Sequence, residues 1–259
     1  MSDYLDVLAR VAQVTIDSEY YEMAKSADTM HLSLRKAILQ SQNVPVIAEI
    51  KAASPSAGVI KKDLNPGEVA RAMQRGGAVA LSVLTEPKHF DGSLEALAAA
   101  REAVEIPLLM KDIVLSPVQV YAAGKMGANA VLLIKALFDR GYCEKTLDEM
   151  IDGAHILGLE VLLETHTEAE FQSAVKANAD LIGINNRDLA TFKVDLNVTK
   201  NILEKNGSNG KPVISESGIK TPADIHFLRE SGASAFLVGS AIMSSSNVEG
   251  KVKEFVEAK

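Results

Sequence analysis

Pro45-Val46-Ile47-Ala48-Glu49-Ile50-Lys51 is the stretch on which the fold turns. It is a short β-rich apolar run that ends on a charged side chain. Glu49 and Lys51 are two residues apart, so on a strand both side chains share one face. The arrangement recurs along the chain. Pro107-Leu108-Leu109-Met110 ends on Lys111, and Val161-Leu162-Leu163 ends on Glu164. Leu181-Ile182-Gly183-Ile184 ends on Asn185, with Arg187 two places on, and Val213-Ile214-Ser215 ends on Glu216. Strands are therefore predicted over Pro45 to Lys51, Ala78 to Thr85, Pro107 to Lys111, Ala130 to Ile134, Glu160 to Glu164, Leu181 to Asn185, Pro212 to Glu216 and Ala235 to Gly239.

Between these runs the periodicity turns helical. Helices are predicted over Pro66 to Arg75, Leu94 to Ala103, Pro117 to Met126, Leu147 to Leu157, Glu168 to Ala177 and Pro222 to Ser231. Several open on proline, whose missing N–H costs nothing in a first helical turn. Gly76, Gly127, Gly158 and Gly232 suit helix ends leading into the next strand. Strands alternating with helices read as repeated βαβ units and a parallel sheet. The chain has 259 residues, near the roughly 250 of a (β/α)8 TIM barrel. The expectation is an α/β protein in which residues 1–259 form a single TIM-barrel domain, with residues 1–44 as a helical N-terminal extension. In that extension Ser2 or Asp3 can cap a helix through Leu5, Val7, Leu8 and Val11, and a second helix runs through Leu32, Leu34, Ile38 and Leu39. It can close the bottom of the barrel or cover the active face, and the pattern does not choose between them.

Hydrophobic residues make up 47% and charged residues 24%, ordinary for a globular protein. The formal net charge of −7 offers no broad basic face for nucleic acid, though a local anion pocket remains allowed. No apolar run approaches the roughly 18 residues of a membrane span. The start Met1-Ser2-Asp3-Tyr4 lacks the basic-then-apolar order of a signal peptide. The lone cysteine, Cys143, excludes an internal disulfide and reads as a partly buried thiol in a reducing compartment. The cytoplasm is the expected location, with no nucleic-acid and no membrane partner.

In a closed parallel barrel the carboxyl ends of all strands meet at one face, where catalytic groups converge. That brings Lys51, Lys111, Glu164, Asn185 and Glu216 round one pocket. Glu49 and Lys51 facing the interior are costly unless paired or functional, so a structural ion pair is the plain alternative. Lys111 at the mouth can act as a general acid, bind a carbonyl or form a Schiff base, or be a solvated lysine beside Asp112. Glu164 and Glu216 beside two lysines allow acid and base in one site. Asn185 and Arg187 can orient a carboxylate or hydroxyls. Ser217-Gly218 follows the seventh strand and Gly239-Ser240 the eighth, where this fold recurrently binds phosphate. His31, His89, His155, His166 and His226 show no metal-ligand spacing, and no nucleotide-binding glycine loop is present. Neither metal nor cofactor is expected.

These segments together resemble indole-3-glycerol phosphate synthase. The resemblance is carried by Glu49-Ile50-Lys51 with Ser54-Pro55-Ser56, Ser82-Val83-Leu84-Thr85 with Phe90-Asp91-Gly92-Ser93, Lys111-Asp112 and Leu132-Leu133-Ile134. It continues through Leu163-Glu164, Asn185-Asn186-Arg187-Asp188-Leu189, Ser215-Glu216-Ser217-Gly218-Ile219, and Gly239-Ser240 with Met243. It implies ring closure, decarboxylation and dehydration of 1-(2-carboxyphenylamino)-1-deoxyribulose 5-phosphate to indole-3-glycerol phosphate, in tryptophan biosynthesis. By resemblance Lys111 is the general acid and Glu164 the general base, and Lys51 contacts the phosphate or donates a proton. Glu49, Asn185, Arg187 and Glu216 orient the substrate. Ser217, Gly218, Gly239 and Ser240 grip the phosphate. Ser54 and Ser82 belong to the substrate set, and Pro55, Phe90, Leu132, Ile134 and Leu189 wall the ring. The implied partner is a phosphorylated small molecule, and the implied state is a monomer open to association with other tryptophan-pathway enzymes. The sequence departs from the family at Ile113, where Phe is usual, at His89, where Phe or Tyr is usual, and at Ser244, where Arg is common. A Schiff-base aldolase, another sugar-phosphate barrel enzyme and an inert binding homologue remain as alternatives.

Overall fold

The computed structural model describes residues 3–24, 26, 30–54, 58–59, 64–207 and 210–258. The predicted residues Ser2, Pro55 and Ser56 lie outside them, and of Ser54 only the backbone is described. Eight parallel strands close into a barrel: β1 (Val46–Ile50), β4 (Ala80–Leu84), β5 (Leu108–Lys111), β6 (Ala130–Ile134), β7 (Glu160–Thr165), β8 (Leu181–Asn185), β9 (Val213–Glu216) and β10 (Ala235–Val238). The last closes on the first through Val46 paired with Phe236. A small antiparallel hairpin, β2 (Ala53–Ser54) with β3 (Gly58–Val59), follows the first barrel strand and was not expected.

The helices are α1 (Tyr4–Asp17), α2 (Leu34–Leu39), α3 (Pro66–Arg75), α4 (Leu94–Ala103), α5 (Pro117–Lys125), α6 (Lys135–Asp139), α7 (Leu147–Ile156), α8 (Glu168–Lys176), α9 (Asn197–Asn206), α10 (Pro222–Glu230), α11 (Ser240–Met243) and α12 (Val248–Val256). Local chemistry sets most of their starts. Proline opens α3, α5 and α10. Thr146, Thr167 and Thr221 close capping boxes with Glu149, Glu170 and Asp224, which satisfies otherwise orphaned N–H groups. At the predicted glycine stop after α3, Gly76 keeps a helical φ of −67° and Gly77 takes the left-handed turn at +95°.

The N-terminal extension does both things the sequence left open. Asp3 caps α1, and α1 lies over the carboxyl-end face. The Tyr4 hydroxyl meets His89 Nδ1 at 2.8 Å, beyond β4, and Arg140, beyond β6, donates to Asp3 and Asp6 at 2.7 Å each. Its buried face runs through Leu5, Leu8, Ala9 and Ala12; Val7, expected on that stripe, is exposed. The second helix, α2, begins after Ser33, two residues later than Leu32 suggested. It sits at the opposite end, where the Arg35 amide donates to Glu160 at the amino end of β7. Leu34 and Ile38 join the apolar cluster inside the barrel. Among the described residues no helix is long and apolar enough to cross a membrane. Cys143 is half-buried, and burial pushes its thiol up to about 12.

Candidate active site

Interior side chains recur every second residue along a barrel strand. On β1, β5, β7 and β9 the inner positions read Ile47 then Glu49, Leu109 then Lys111, Leu162 then Glu164, and Ile214 then Glu216. The lower four belong to one apolar cluster. The upper four are the charged floor of a cavity of about 640 Å³ at the carboxyl-end face. One step of two residues thus converts packed core into chemistry.

Lys111 Nζ lies 3.0 Å from Glu164 Oε2 and 2.8 Å from Glu216 Oε2. Asn185 Nδ2 donates to Glu164 Oε1 at 3.0 Å. Lys51, one residue past the end of β1, pairs with Glu49 at 2.6 Å. One cation between two carboxylates leaves the triad one negative charge in excess, and burial amplifies each effect. Burial alone lowers Lys111, but the fields of Glu164, Glu216 and Glu49 outweigh it and hold the ammonium above its ordinary range. Glu164 resists burial through Lys111 and the Asn185 hydrogen bond, and stays below the usual carboxylate range. Glu216 is pushed up to about 7, by burial first, against the attraction of Lys111 and with the repulsion of Glu164. Its Oε1 is buried with no protein partner. The two glutamates around one lysine therefore titrate apart.

Two glycines make room for these carboxylates. A Cβ on Gly183 would collide with Glu216 Oε1, and one on Gly239 would collide with Glu49 Oε1. Glycine inside a strand often marks such a close approach. That signal stood at Gly183 in the sequence and was not read.

The chain leaves β9 along the cavity through Ser217 and Gly218, both left-handed, with φ of 67° and 85°. Ser240 opens the short α11 straight after Gly239. Among the predicted site residues whose side chains are described, all but Ser82 line the cavity; the Ser54 side chain and Pro55 lie outside the described residues. Ser82 has a fully buried side chain with an unpartnered Oγ and is not part of the lining, to which β4 contributes Leu84. Phe90, Leu132, Ile134 and Leu189 form an apolar wall with Ile113. The sequence reading missed Tyr4 and Leu8 of α1, and Phe192, which also line it. Tyr4 and Phe192 pack with ring centroids 4.5 Å apart. Arg187 faces the cavity, its amide donating to Asn185 Oδ1 at 2.9 Å and its guanidinium to the Phe192 carbonyl at 3.2 Å. Among the described residues no group of three or more His, Cys, Asp or Glu side chains is placed to hold a metal ion.

Solved structures of the same fold include a thiamine phosphate pyrophosphorylase from Pyrococcus furiosus, with a TM-score of 0.62 and 18% identity, covering 86% of this chain and 96% of that one. An N-acetylmannosamine-6-phosphate 2-epimerase from Clostridium perfringens also scores 0.62, at 17% identity, over 83% of this chain and 93% of its own. At such identity the likeness concerns the barrel alone. Sequence relatives say more. An indole-3-glycerol phosphate synthase of Dehalococcoides mccartyi strain CBDB1 is 43% identical over 228 residues, covering 84% of this chain and 83% of its own. One from Neisseria meningitidis strain FAM18 is 45% identical over 211 residues, covering 81% and 79%. One from Carboxydothermus hydrogenoformans is 41% identical over 257 residues, covering 96% of both chains. The family model described as indole-3-glycerol phosphate synthase matches residues 4–255. With the barrel, the charged upper layer and these relatives in agreement, the chain belongs to the indole-3-glycerol phosphate synthase family.

Proposed function

We propose that this protein closes the pyrrole ring of 1-(2-carboxyphenylamino)-1-deoxyribulose 5-phosphate, releasing carbon dioxide and water to give indole-3-glycerol phosphate. The observation that carries the reading is Lys111 held between Glu164 and Glu216 on the floor of a cavity that also contains the Ser217-Gly218 turn. The substrate has a phosphate, a carboxylate and an apolar ring. The cavity offers Lys51 and Arg187 as cations, an aliphatic and aromatic wall, and two Gly/Ser turns.

In this reading the ring carbon bearing the carboxylate attacks the ketone carbon, and Lys111 gives a proton to the ketone oxygen as the bond forms. The carboxylate then leaves as carbon dioxide, its bonding electrons restoring the ring. The new hydroxyl takes a proton from Lys51 and departs as water, while Glu164 takes up the proton lost from the adjacent carbon. The raised Lys111 keeps the acid loaded at neutral pH, and the lowered Glu164 keeps the base ionised. Glu49, Asn185, Arg187 and Glu216 orient the substrate, and Lys51 meets its phosphate end. Ser217, Gly218, Gly239 and Ser240 grip the phosphate, since backbone amides exposed by glycine approach an anion closely. A Schiff-base aldolase needs a neutral amine nucleophile, and Lys111 is biased the other way.

The reading extends to a monomer acting in the cytoplasm, which the lone cysteine suits. The test is fluorescence-monitored formation of indole-3-glycerol phosphate by the wild type beside Lys111→Ala. Turnover that drops in the variant supports both reaction and role. A folded wild type without turnover rejects the reaction, and a borohydride-trapped lysine adduct with a sugar phosphate would replace it with the aldolase.

A further inference from the structure

Asn186 does not line the cavity, yet every polar group it has is engaged around the turn after β9. It is fully buried, as are Thr199 and Ser215. Its backbone N–H donates to the Glu216 carbonyl at 2.8 Å, and its carbonyl accepts from the Asp195 amide at 3.0 Å. Its Nδ2 donates to Ser215 Oγ at 2.9 Å, to the Glu216 carbonyl at 3.0 Å and to the Ser217 carbonyl at 3.2 Å. Its Oδ1 accepts from the Thr199 amide at 3.2 Å and from Thr199 Oγ1 at 2.8 Å. Thr199 Oγ1 also meets Ser215 Oγ at 2.9 Å.

Backbone groups leave no freedom in how this amide points. Two carbonyls can only accept and one N–H can only donate, so the NH2 must face β9 and the oxygen must face α9. An aspartate of the same shape would set a carboxylate oxygen against two carbonyl oxygens. What the amide clamps is a conformation the chain does not favour: Ser217 has a φ of 67°, where an L-residue's Cβ crowds the following carbonyl. The next residue, Gly218, is packed under Val194 and Leu196, which meet a Cβ built there. Those two side chains belong to the same segment that the Asn186 carbonyl ties down through Asp195.

We propose that Asn186 is a positioning residue: through Thr199 and Ser215 it holds the Ser217-Gly218 turn in the left-handed shape that receives the phosphate. The inference rests on the reading of that turn as the phosphate grip. A preformed turn spares the ligand the ordering cost of shaping it, so losing the clamp shows in binding more than in the proton-transfer steps. The pair Asn185 and Asn186 thereby divides its work, the first facing Glu164 in the cavity and the second facing away from it to shape the phosphate end.

The experiment is calorimetric binding of inorganic phosphate, with steady-state kinetics on the proposed substrate, at a temperature where circular dichroism shows each protein folded. Asn186→Asp is expected to weaken phosphate binding and raise KM about tenfold, the scale of one or two lost hydrogen bonds, with kcat within about twofold. Thr199→Val is expected to shift both by about threefold in the same sense, while Thr199→Ser, which keeps the hydroxyl, stays at the wild-type values. Should Asn186→Asp fail to fold, the Thr199 pair decides alone. Folded variants that bind phosphate and substrate like the wild type overturn the clamp and leave the phosphate reading standing. A wild type that does not bind phosphate overturns the phosphate reading, and the clamp with it.

Discussion

Two layers of the barrel interior lie two residues apart on the same four strands and behave as opposites. The lower one, Ile47, Leu109, Leu162 and Ile214, is hydrocarbon packed against hydrocarbon. The upper one, Glu49, Lys111, Glu164 and Glu216, is charge packed against charge. Both are nearly dry, yet burial stabilises the first and burdens the second. The lower layer is where the fold gains its energy. The upper layer spends some of it on keeping unlike charged groups together in one cavity.

The sharpest way to break the contrast is to substitute once in each layer. Lys111→Ala is expected to lower kcat at least about a hundredfold, the scale of a lost general acid. It also leaves two buried carboxylates without their cation, at a cost of about 3 kcal/mol at neutral pH. Substrate turnover and urea unfolding measure the two effects. Unchanged turnover would strip the upper layer of its chemical role. Leu162→Ala, one layer down, is expected to cost about 3 kcal/mol of stability through the cavity it leaves. Its turnover, assayed well below the melting temperature, should stay near that of the wild type. A loss of kcat comparable to that of Lys111→Ala would mean that the two layers are not separable.

A third prediction concerns pH. Glu216 is raised to about 7 in the folded state from an ordinary 4.5. The folded protein therefore binds this proton more tightly, and the stability the group contributes is full below about pH 4.5 and lost as pH rises through 7. Asp112, pushed up to about 6 by burial, adds a slope of the same sign. The contribution of Glu216 is the difference between the wild type and Glu216→Gln. Urea unfolding at pH 5 and pH 8 should show the variant gaining on the wild type at the higher pH, on the order of 2 kcal/mol. Parallel pH dependence in the two proteins would place the proton elsewhere. The smallest expected effect is at the cavity wall. Ile113→Phe adds an aromatic face beside Leu132 and Ile134, worth about 1 kcal/mol of ring contact. KM should fall a few-fold with kcat unchanged; a rise would mean that the wall has no room for the larger side chain.

Much of this was legible in one dimension. The strand β6, for instance, begins and ends at the predicted residues Ala130 and Ile134, and α3 and α4 match their predicted bounds. Proline starts and capping side chains carry local, short-range information that a sequence displays. The helices α6, α9 and α11 were missed for the matching reason: none has a side-chain cap at its start, whereas α12 was missed although Asn247 caps it. The period of two puts Ser82 on the inner face, but period does not say whether an inner side chain reaches open space or stays buried, as this one does. The cavity roles of Tyr4 and Phe192 depend on a contact between residues far apart in the chain, which no local pattern encodes.

By itself the sequence determined the alternation of strands and helices, the inward face of each strand and the charged residues at the strand ends, because side-chain period and backbone capping act over a few residues. Only the tertiary structure decided which of those charges meet. Barrel closure sets Lys111 between Glu164 and Glu216, splits the N-terminal extension between the two ends of the barrel, and turns Asn186 away from the cavity that Asn185 enters. The physical reason is that a charge or an amide buried in low dielectric takes its proton affinity and its orientation from whatever lies within a few ångströms, and those neighbours come from distant parts of the chain.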